Sequence, residues 1–184
     1  MVEIEFNEHA NGVRWAFFPA LQRSALVHGI STRIGGVSTG DLATLNLGVK
    51  VNDLETYLQI NRQRFCEAVG VDVRRVVSSG QVHETTVAIV DNSHAGKRIT
   101  ETDALVTNTS GLPLLLFFAD CVPLLIFDPV RQVIGLSHAG WKGTVKSIGP
   151  KTLQCMQQNF GTEPTDCLVG IAPSIGPDDY EVDE

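Results

Sequence analysis

The chain has 184 residues, 43% of them hydrophobic and 19% charged, with a formal net charge of -7 at neutral pH. That length and apolar content suffice for one ordinary domain with a sizeable core, and they exclude a disordered polar chain. The 14 basic residues are scattered, so no basic stripe tracks nucleic-acid phosphates, and the expected ligand is small.

Residues Met1 to Ala20 carry Glu3, Glu5 and Glu8 and lack the basic-then-apolar order of a secretory signal. The longest apolar stretch, Leu112 to Phe127, is broken by Pro113, Asp120 and Pro123 and falls short of the roughly 20 residues a spanning helix needs. A cytoplasmic protein with no membrane and no nucleic-acid partner, a monomer or small homo-oligomer, is the expectation. Cys66, Cys121, Cys155 and Cys167 then read as reduced thiols, each of interest as a ligand or nucleophile.

Asn52 to Gly70 predicts a helix: Asn52 or Asp53 caps it, Leu54, Tyr57, Leu58, Phe65 and Val69 recur near helical spacing, and Gly70 closes it. Val73 to Val77 and Thr85 to Val90 read as strands joined by a loop, Ser78-Ser79-Gly80, that runs on to Gln81 and His83. Leu112 to Ala119 and Pro123 to Phe127 read as buried strands meeting at Asp120-Cys121, and Asp128 to Arg131 turns into a strand at Val133 to Ser137. Beyond Gly140, the positions Val145, Ile148, Leu153, Met156 and Phe160 are helical, and Gly149-Pro150 must kink that helix or start a second one. Leu168 to Ile171 is a last strand before the loop Ala172 to Pro177. Hairpins alternate with longer connections, so an α/β layered structure around a mixed sheet with flanking helices is expected, in one domain covering 1–184.

His83, Cys121 and His138 each fall at a predicted strand end, in loops of the kind that carry sites. Two imidazoles and a thiolate suit zinc, and three protein ligands leave a fourth position open, the pattern of a catalytic metal that polarises a water molecule. Their spacing matches no local zinc signature. Two ordinary buried histidines and a packed cysteine fit it equally.

The text around these residues is more specific. Ser31 to Ser38 (STRIGGVS), Leu45-Asn46-Leu47-Gly48, Gln81-Val82-His83, Asp103 to Asn108 (DALVTN), Ala119-Asp120-Cys121-Val122-Pro123 and His138 to Thr144 (HAGWKGT) resemble, in order, the successive motifs of the YfiH-like, laccase-domain family. The resemblance runs from about His28 to Val182. It implies a YfiH-like fold, a metal bound by His83, Cys121 and His138, and phosphorolysis of adenosine, inosine, guanosine and methylthioadenosine, with adenosine deamination as a second activity. It also implies zinc, with copper possible under the family's older reading as polyphenol oxidases.

Within that resemblance, Arg33 with Gly35-Gly36 is the expected phosphate site, a guanidinium fork beside closely approachable backbone, against the alternative of a surface arginine on a glycine turn. Asn46 and Gln81 offer amides to a ribose or purine edge, or else cap turns. Asp120 is expected to orient a ligating imidazole or to carry a proton, and Lys142 to add positive charge. Glu84 would point away from His83 on a strand and is not assigned.

The chain departs from the family pattern at Ala172-Pro173, Asp178-Asp179 and Gly149-Pro150. Family members also continue past the Tyr-Glu-Val motif, so a missing C-terminal part is expected. Two enzyme rivals use the same residues: a copper oxidase, disfavoured by five histidines in all, and a metal-free hydrolase with Cys121 as nucleophile and His138 as base. A non-catalytic nucleotide-binding module is a third.

Overall fold

The structure is a computed structural model describing residues 3–23, 26–49 and 51–181. The end of the Tyr-Glu-Val motif, from Val182 on, lies outside the described residues. The chain divides into two compact units, Met1–Val76 and Val77–Glu184.

The first unit opens with an antiparallel sheet that sequence reading did not foresee: β1 (Glu5–Glu8), β2 (Arg14–Phe17) and β3 (Ile30–Ser31), in the order β1-β2-β3. The expected helix is present as α1 (Glu55–Val69), beginning after the proposed caps: Leu54 holds the N-cap position and Asp53 Oδ1 accepts the Leu54 N–H at 2.9 Å. Gly70 ends it in the left-handed region (φ 84°), its N–H bonded to the carbonyls of Cys66 and Glu67.

The buried face of α1 includes a polar residue, Asn61. Asn61 Oδ1 accepts the Val37 N–H at 2.8 Å, and its Nδ2 donates to Ser38 Oγ and to the carbonyls of Thr44 and Asn46. One fully buried amide thus ties together loops that form no regular structure, satisfying backbone groups whose isolation would cost about 1–3 kcal/mol each.

The second unit holds β4 (Val77–Gly80), β5 (Val87–Ile89), β6 (Arg98–Thr100), β7 (Ala104–Thr107), β8 (Leu114–Leu115), β9 (Val122–Asp128), β10 (Val133–Ala139), the helices α2 (Trp141–Val145) and α3 (Ile148–Phe160), and β11 (Leu168–Ile171). A five-stranded sheet runs β11-β9-β10-β7-β5, antiparallel except for the β5–β7 pair, and a parallel sheet runs β6-β4-β8. The mixed, layered α/β architecture read from the sequence is therefore present.

Strand alternation builds the layers. On β7, Ala104 and Val106 face α3 with Ile126, Val133, Ile148 and Met156, whereas Leu105 packs with Val77, Val90, Leu112 and Leu116 on the side of the small sheet. Gly135 of β10 lies under α3, where a Cβ would meet Met156 Sδ at 3.0 Å and Thr152 Cγ2 at 3.1 Å. Its missing side chain lets helix and sheet approach.

Two local expectations need correction, and a third is decided between its alternatives. Ser78-Ser79-Gly80, read as a loop, is β4, the middle strand of its sheet: pairing on both sides overrides weak strand propensity, and Gly80 admits Thr100 Cα, which a Cβ would meet at 3.2 Å. Val73 to Arg75, read as strand, is a 3-10 turn capped by Asp72. Of the two outcomes expected at Gly149-Pro150, the second is present: the chain breaks at Ser147, which is left-handed (φ 64°), and Gly149-Pro150 lie in the first turn of a second helix, α3, where the amide hydrogen that proline lacks has no helical partner to lose.

Candidate metal centre and adjoining cleft

Strand register in the second unit gathers the site at one end of the five-stranded sheet. β10 pairs with β7 so that Ser137 lies opposite Ala104, and the His138 N–H continues the ladder to the Asp103 carbonyl at 2.7 Å. β10 pairs with β9 so that Ala139 lies opposite Val122, bringing Cys121 beside Gly140. The Asp103 N–H reaches the Thr86 carbonyl at 3.0 Å, which draws in the segment that follows β4. His83 lies just beyond β4, Cys121 immediately before β9, and His138 near the end of β10.

The ligand atoms of His83, Cys121 and His138 all lie within 4.8 Å of one another. Zinc bonds of about 2.0–2.3 Å in a tetrahedron put donors roughly 3.3–3.8 Å apart, near the spread of these three atoms. The two imidazoles meet edge to face at 4.8 Å between centroids, and the Phe118 ring tilts against His138 at 5.6 Å. His138 is buried, Cys121 half-buried and His83 exposed, so the cluster opens to solvent at His83. Gly140 provides the space: a Cβ there would meet Cys121 Sγ and His83 Cδ2 at 3.2 Å each and His138 Cε1 at 3.8 Å.

The residue that organises this cluster is one the sequence reading quoted in a motif but did not single out. Asp103 is fully buried, and its carboxylate takes four hydrogen bonds: the N–H groups of Val82, His83 and Glu84 at 3.2, 2.9 and 3.0 Å, and Nδ1 of His138 at 2.9 Å. Burial pushes its pKa up, but the bonds from Glu84, His138, Val82 and His83 together outweigh this and hold it below the ordinary carboxylate range. His83 itself is left-handed (φ 63°), a strain on the order of 1–3 kcal/mol for a residue other than glycine, which these bonds hold in place.

The hydrogen bond to a ligating imidazole expected of Asp120 is made in the structure by Asp103, to His138. Asp120 instead lines, with Cys121, Val122, Trp141, Ile175 and Tyr180 among others, a cleft of about 280 Å³. Burial and the charges of Asp120 and Asp103 push the Cys121 thiol up from its ordinary value. Glu84, left unassigned from the sequence, pairs with Lys146 Nζ at 2.6 Å.

The remaining expected residues are engaged as follows. Gln81 spends both ends of its amide on the Phe117 backbone, Nε2 donating to the carbonyl at 2.6 Å and Oε1 accepting the N–H at 2.9 Å. It thereby clasps the loop of His83 to the segment that leads to Cys121. Lys142 is exposed, its Nζ 5.4 Å from the centroid of Trp141. In the first unit, Asn46 closes a turn onto Gly48 and donates to Asp53 Oδ2 at 2.8 Å. Arg33 donates through Nε and one Nη to the carbonyls of Asp41 and Ala43. Gly35 and Gly36 are crowded by the chain itself, since a Cβ would fall 2.3 Å from the Gly12 carbonyl oxygen and 2.1 Å from that of Thr44.

Among the described residues, no helix is long and apolar enough to cross a membrane. The model of the family described as multi-copper polyphenol oxidoreductase laccase matches residues 27–184. The chain is 36% identical over 166 residues to a Bacillus subtilis protein named purine nucleoside phosphorylase YlmD, covering 86% of this chain and 60% of that one. It is 41% identical over 160 residues to a Deinococcus radiodurans purine nucleoside phosphorylase, covering 87% and 61%. The crystal structure of YlmD from Geobacillus stearothermophilus superposes with a TM-score of 0.88 at 34% identity, over 97% of this chain and 68% of that one. The chain spans about three fifths of the length of these two curated relatives. With motifs, fold and match in agreement, it belongs to the multi-copper polyphenol oxidoreductase laccase family, the YfiH-like proteins.

Proposed function

We propose that this chain carries the metal centre of a purine nucleoside phosphorylase, acting on adenosine, inosine, guanosine and methylthioadenosine with phosphate. The observation that carries the reading is the His83, Cys121 and His138 cluster, joined through Cys121 to an apolar cleft, in a chain similar to proteins named purine nucleoside phosphorylase. The donor set fits zinc: one thiolate and two imidazoles, a buried carboxylate behind one imidazole, and a glycine where a side chain would fill the space between them. When bound there, zinc supplies Lewis acidity toward an oxygen or nitrogen of the substrate.

The cleft of about 280 Å³ borders the roughly 300–1,000 Å³ range of small-molecule sites and has room for a purine base against Trp141 and Tyr180. Phosphorolysis breaks the N-glycosidic bond as a phosphate oxygen bonds to the anomeric carbon, and the purine leaves with the electron pair and takes up a proton. Asp120 lines that cleft and is the group we assign to the purine edge and its proton. Lys142, whose Nζ lies over the Trp141 ring beside that cleft, adds the positive charge we assign toward phosphate. Adenosine deamination, the second activity, also needs a proton carrier; with Glu84 paired to Lys146, Asp120 is the candidate for it too.

Two rivals lose ground. A metal-free thiol nucleophile would start from a thiol whose pKa burial and two nearby carboxylates raise, and would depend wholly on His138 as its base. A thiolate in that neighbourhood calls for a cation. A multicopper oxidase needs further histidine clusters. His9 accepts the Asn11 N–H, His28 that of Phe18, and His94 belongs to a capping box with Asp91.

Elemental analysis of protein purified without added metal, with phosphorolysis of inosine measured on the same sample and on His83→Ala, tests the reading. Zinc and phosphate-dependent release of free base, both lost in the variant, support it. Copper with phenol oxidation, or turnover in metal-free protein, contradicts it.

A further inference from the structure

Asp103 makes bonds to two of the three candidate ligands by different means. Oδ1 stands 2.9 Å from His138 Nδ1 and also accepts the His83 N–H, while Oδ2 accepts the N–H groups of Val82 and Glu84. Three consecutive amides converging on one anion form a concave nest, and the residue in its middle is His83, held left-handed. The carboxylate and the imidazole are both essentially without solvent access.

From this we infer that Asp103 is a positioning residue that sets two metal ligands at once, an inference that rests on the metal reading above. A carboxylate facing Nδ1 accepts a hydrogen bond only if Nδ1 carries the proton, which leaves the Nε2 lone pair of His138 for the metal. The other imidazole is positioned through its backbone: with its N–H and those of its two neighbours bound to Asp103, His83 keeps the conformation that directs its ring toward Cys121 and His138. Asp103 is not itself one of the donors. Metal affinity then depends on a side chain outside the ligand set, as it does where outer carboxylates fix ligating histidines.

Two measurements on the full chain test this without relying on turnover. Nitrogen-15 shifts of His138 in zinc-free protein near neutral pH are expected to report the Nδ1–H tautomer, the minor form of free histidine; an Nε2–H signal overturns the inference. Zinc affinity by competition with a chromophoric chelator is expected to fall about 10- to 100-fold in Asp103→Asn, with an unchanged far-ultraviolet circular dichroism spectrum. Equal affinity in a folded variant overturns the inference while leaving the metal reading intact. Wild-type protein that shows the Nδ1–H tautomer but takes up no zinc overturns the metal reading instead. If Asp103→Asn fails to fold, the wild-type tautomer decides.

Discussion

His138 Nδ1 and Asp103 Oδ1 lie 2.9 Å apart in the buried end of the β7–β10 pair, and this contact joins the fold to the candidate site. The same register that aligns the two strands places the carboxylate behind the imidazole, so the ligand's orientation follows from sheet pairing. A bond of this kind costs little flexibility at the moment of metal binding, because both partners are ordered by the core.

Gly140 is the position where backbone shape and site volume meet. Its φ of -65° and ψ of 166° suit any residue, so Gly140→Ala is expected to fold normally. The added Cβ nevertheless stands 3.2 Å from Cys121 Sγ and His83 Cδ2. Metal affinity is expected to drop roughly ten-fold, the lower end of what disturbed ligand support produces. Chelator competition on the folded variant checks this, and wild-type affinity would contradict it.

Cys66 and Cys121 should separate by alkylation. Burial pushes the Cys66 thiol up to about 11, so it is expected to stay unlabelled in folded protein at mildly alkaline pH. Cys121 is expected to label slowly when zinc is bound and faster after chelation, since ligation occupies the sulfur. Peptide mass spectrometry with and without chelator reads both, and labelling of Cys121 that ignores the chelator would contradict ligation.

Stability should depend on pH through His28 in the first unit. Burial lowers its pKa, and its Nε2 accepts the Phe18 N–H at 2.9 Å, a bond that only the neutral ring makes. The unfolded chain therefore takes up this proton more readily than the folded one, so stability rises with pH across the window. The contribution is complete above the ordinary histidine value of about 6.5 and is lost as pH falls below it and through the folded value. Urea denaturation should show a shallower decline between neutral and mildly acidic pH in His28→Gln than in the parent; equal slopes would refute the assignment.

Gly135→Val should destabilise by overpacking. Its Cβ alone would meet Met156 Sδ and Thr152 Cγ2 at about 3 Å, and two further methyl groups must push α3 off β10. A loss of about 1–3 kcal/mol in urea unfolding is expected. A variant as stable as the parent would mean that α3 moves freely on the sheet.

Much of this site was legible in the sequence because metal ligands are drawn from few residue types. His83, Cys121 and His138 stood out as such residues at strand ends, and β9, β10, β11, α1 and α3 announced themselves through apolar periodicity. Asp103 did not, because its partners lie about twenty and thirty-five residues away and a lone carboxylate before an apolar strand carries no local mark. The one available signal was its place immediately before Ala104-Leu105-Val106, a run buried on both faces. Asn61 left a clearer trace: Leu58, Asn61 and Phe65 share the buried stripe of α1, and a polar residue there must find partners. Gly35-Gly36 suggested an anion loop, yet glycine serves close approach by the protein's own backbone just as well, and sequence alone does not separate the two. β4 was hidden because Ser-Ser-Gly reads as a turn until its two neighbouring strands are known.

We propose phosphate-dependent cleavage of a purine nucleoside at the His83, Cys121 and His138 centre. Phosphorus-31 detection of ribose 1-phosphate formed from inosine and phosphate, in zinc-loaded, chelated and zinc-restored chain, tests it most directly. Product is expected in the loaded sample, none after chelation, and recovery on restoring zinc. Release of hypoxanthine that needs neither phosphate nor metal would contradict it.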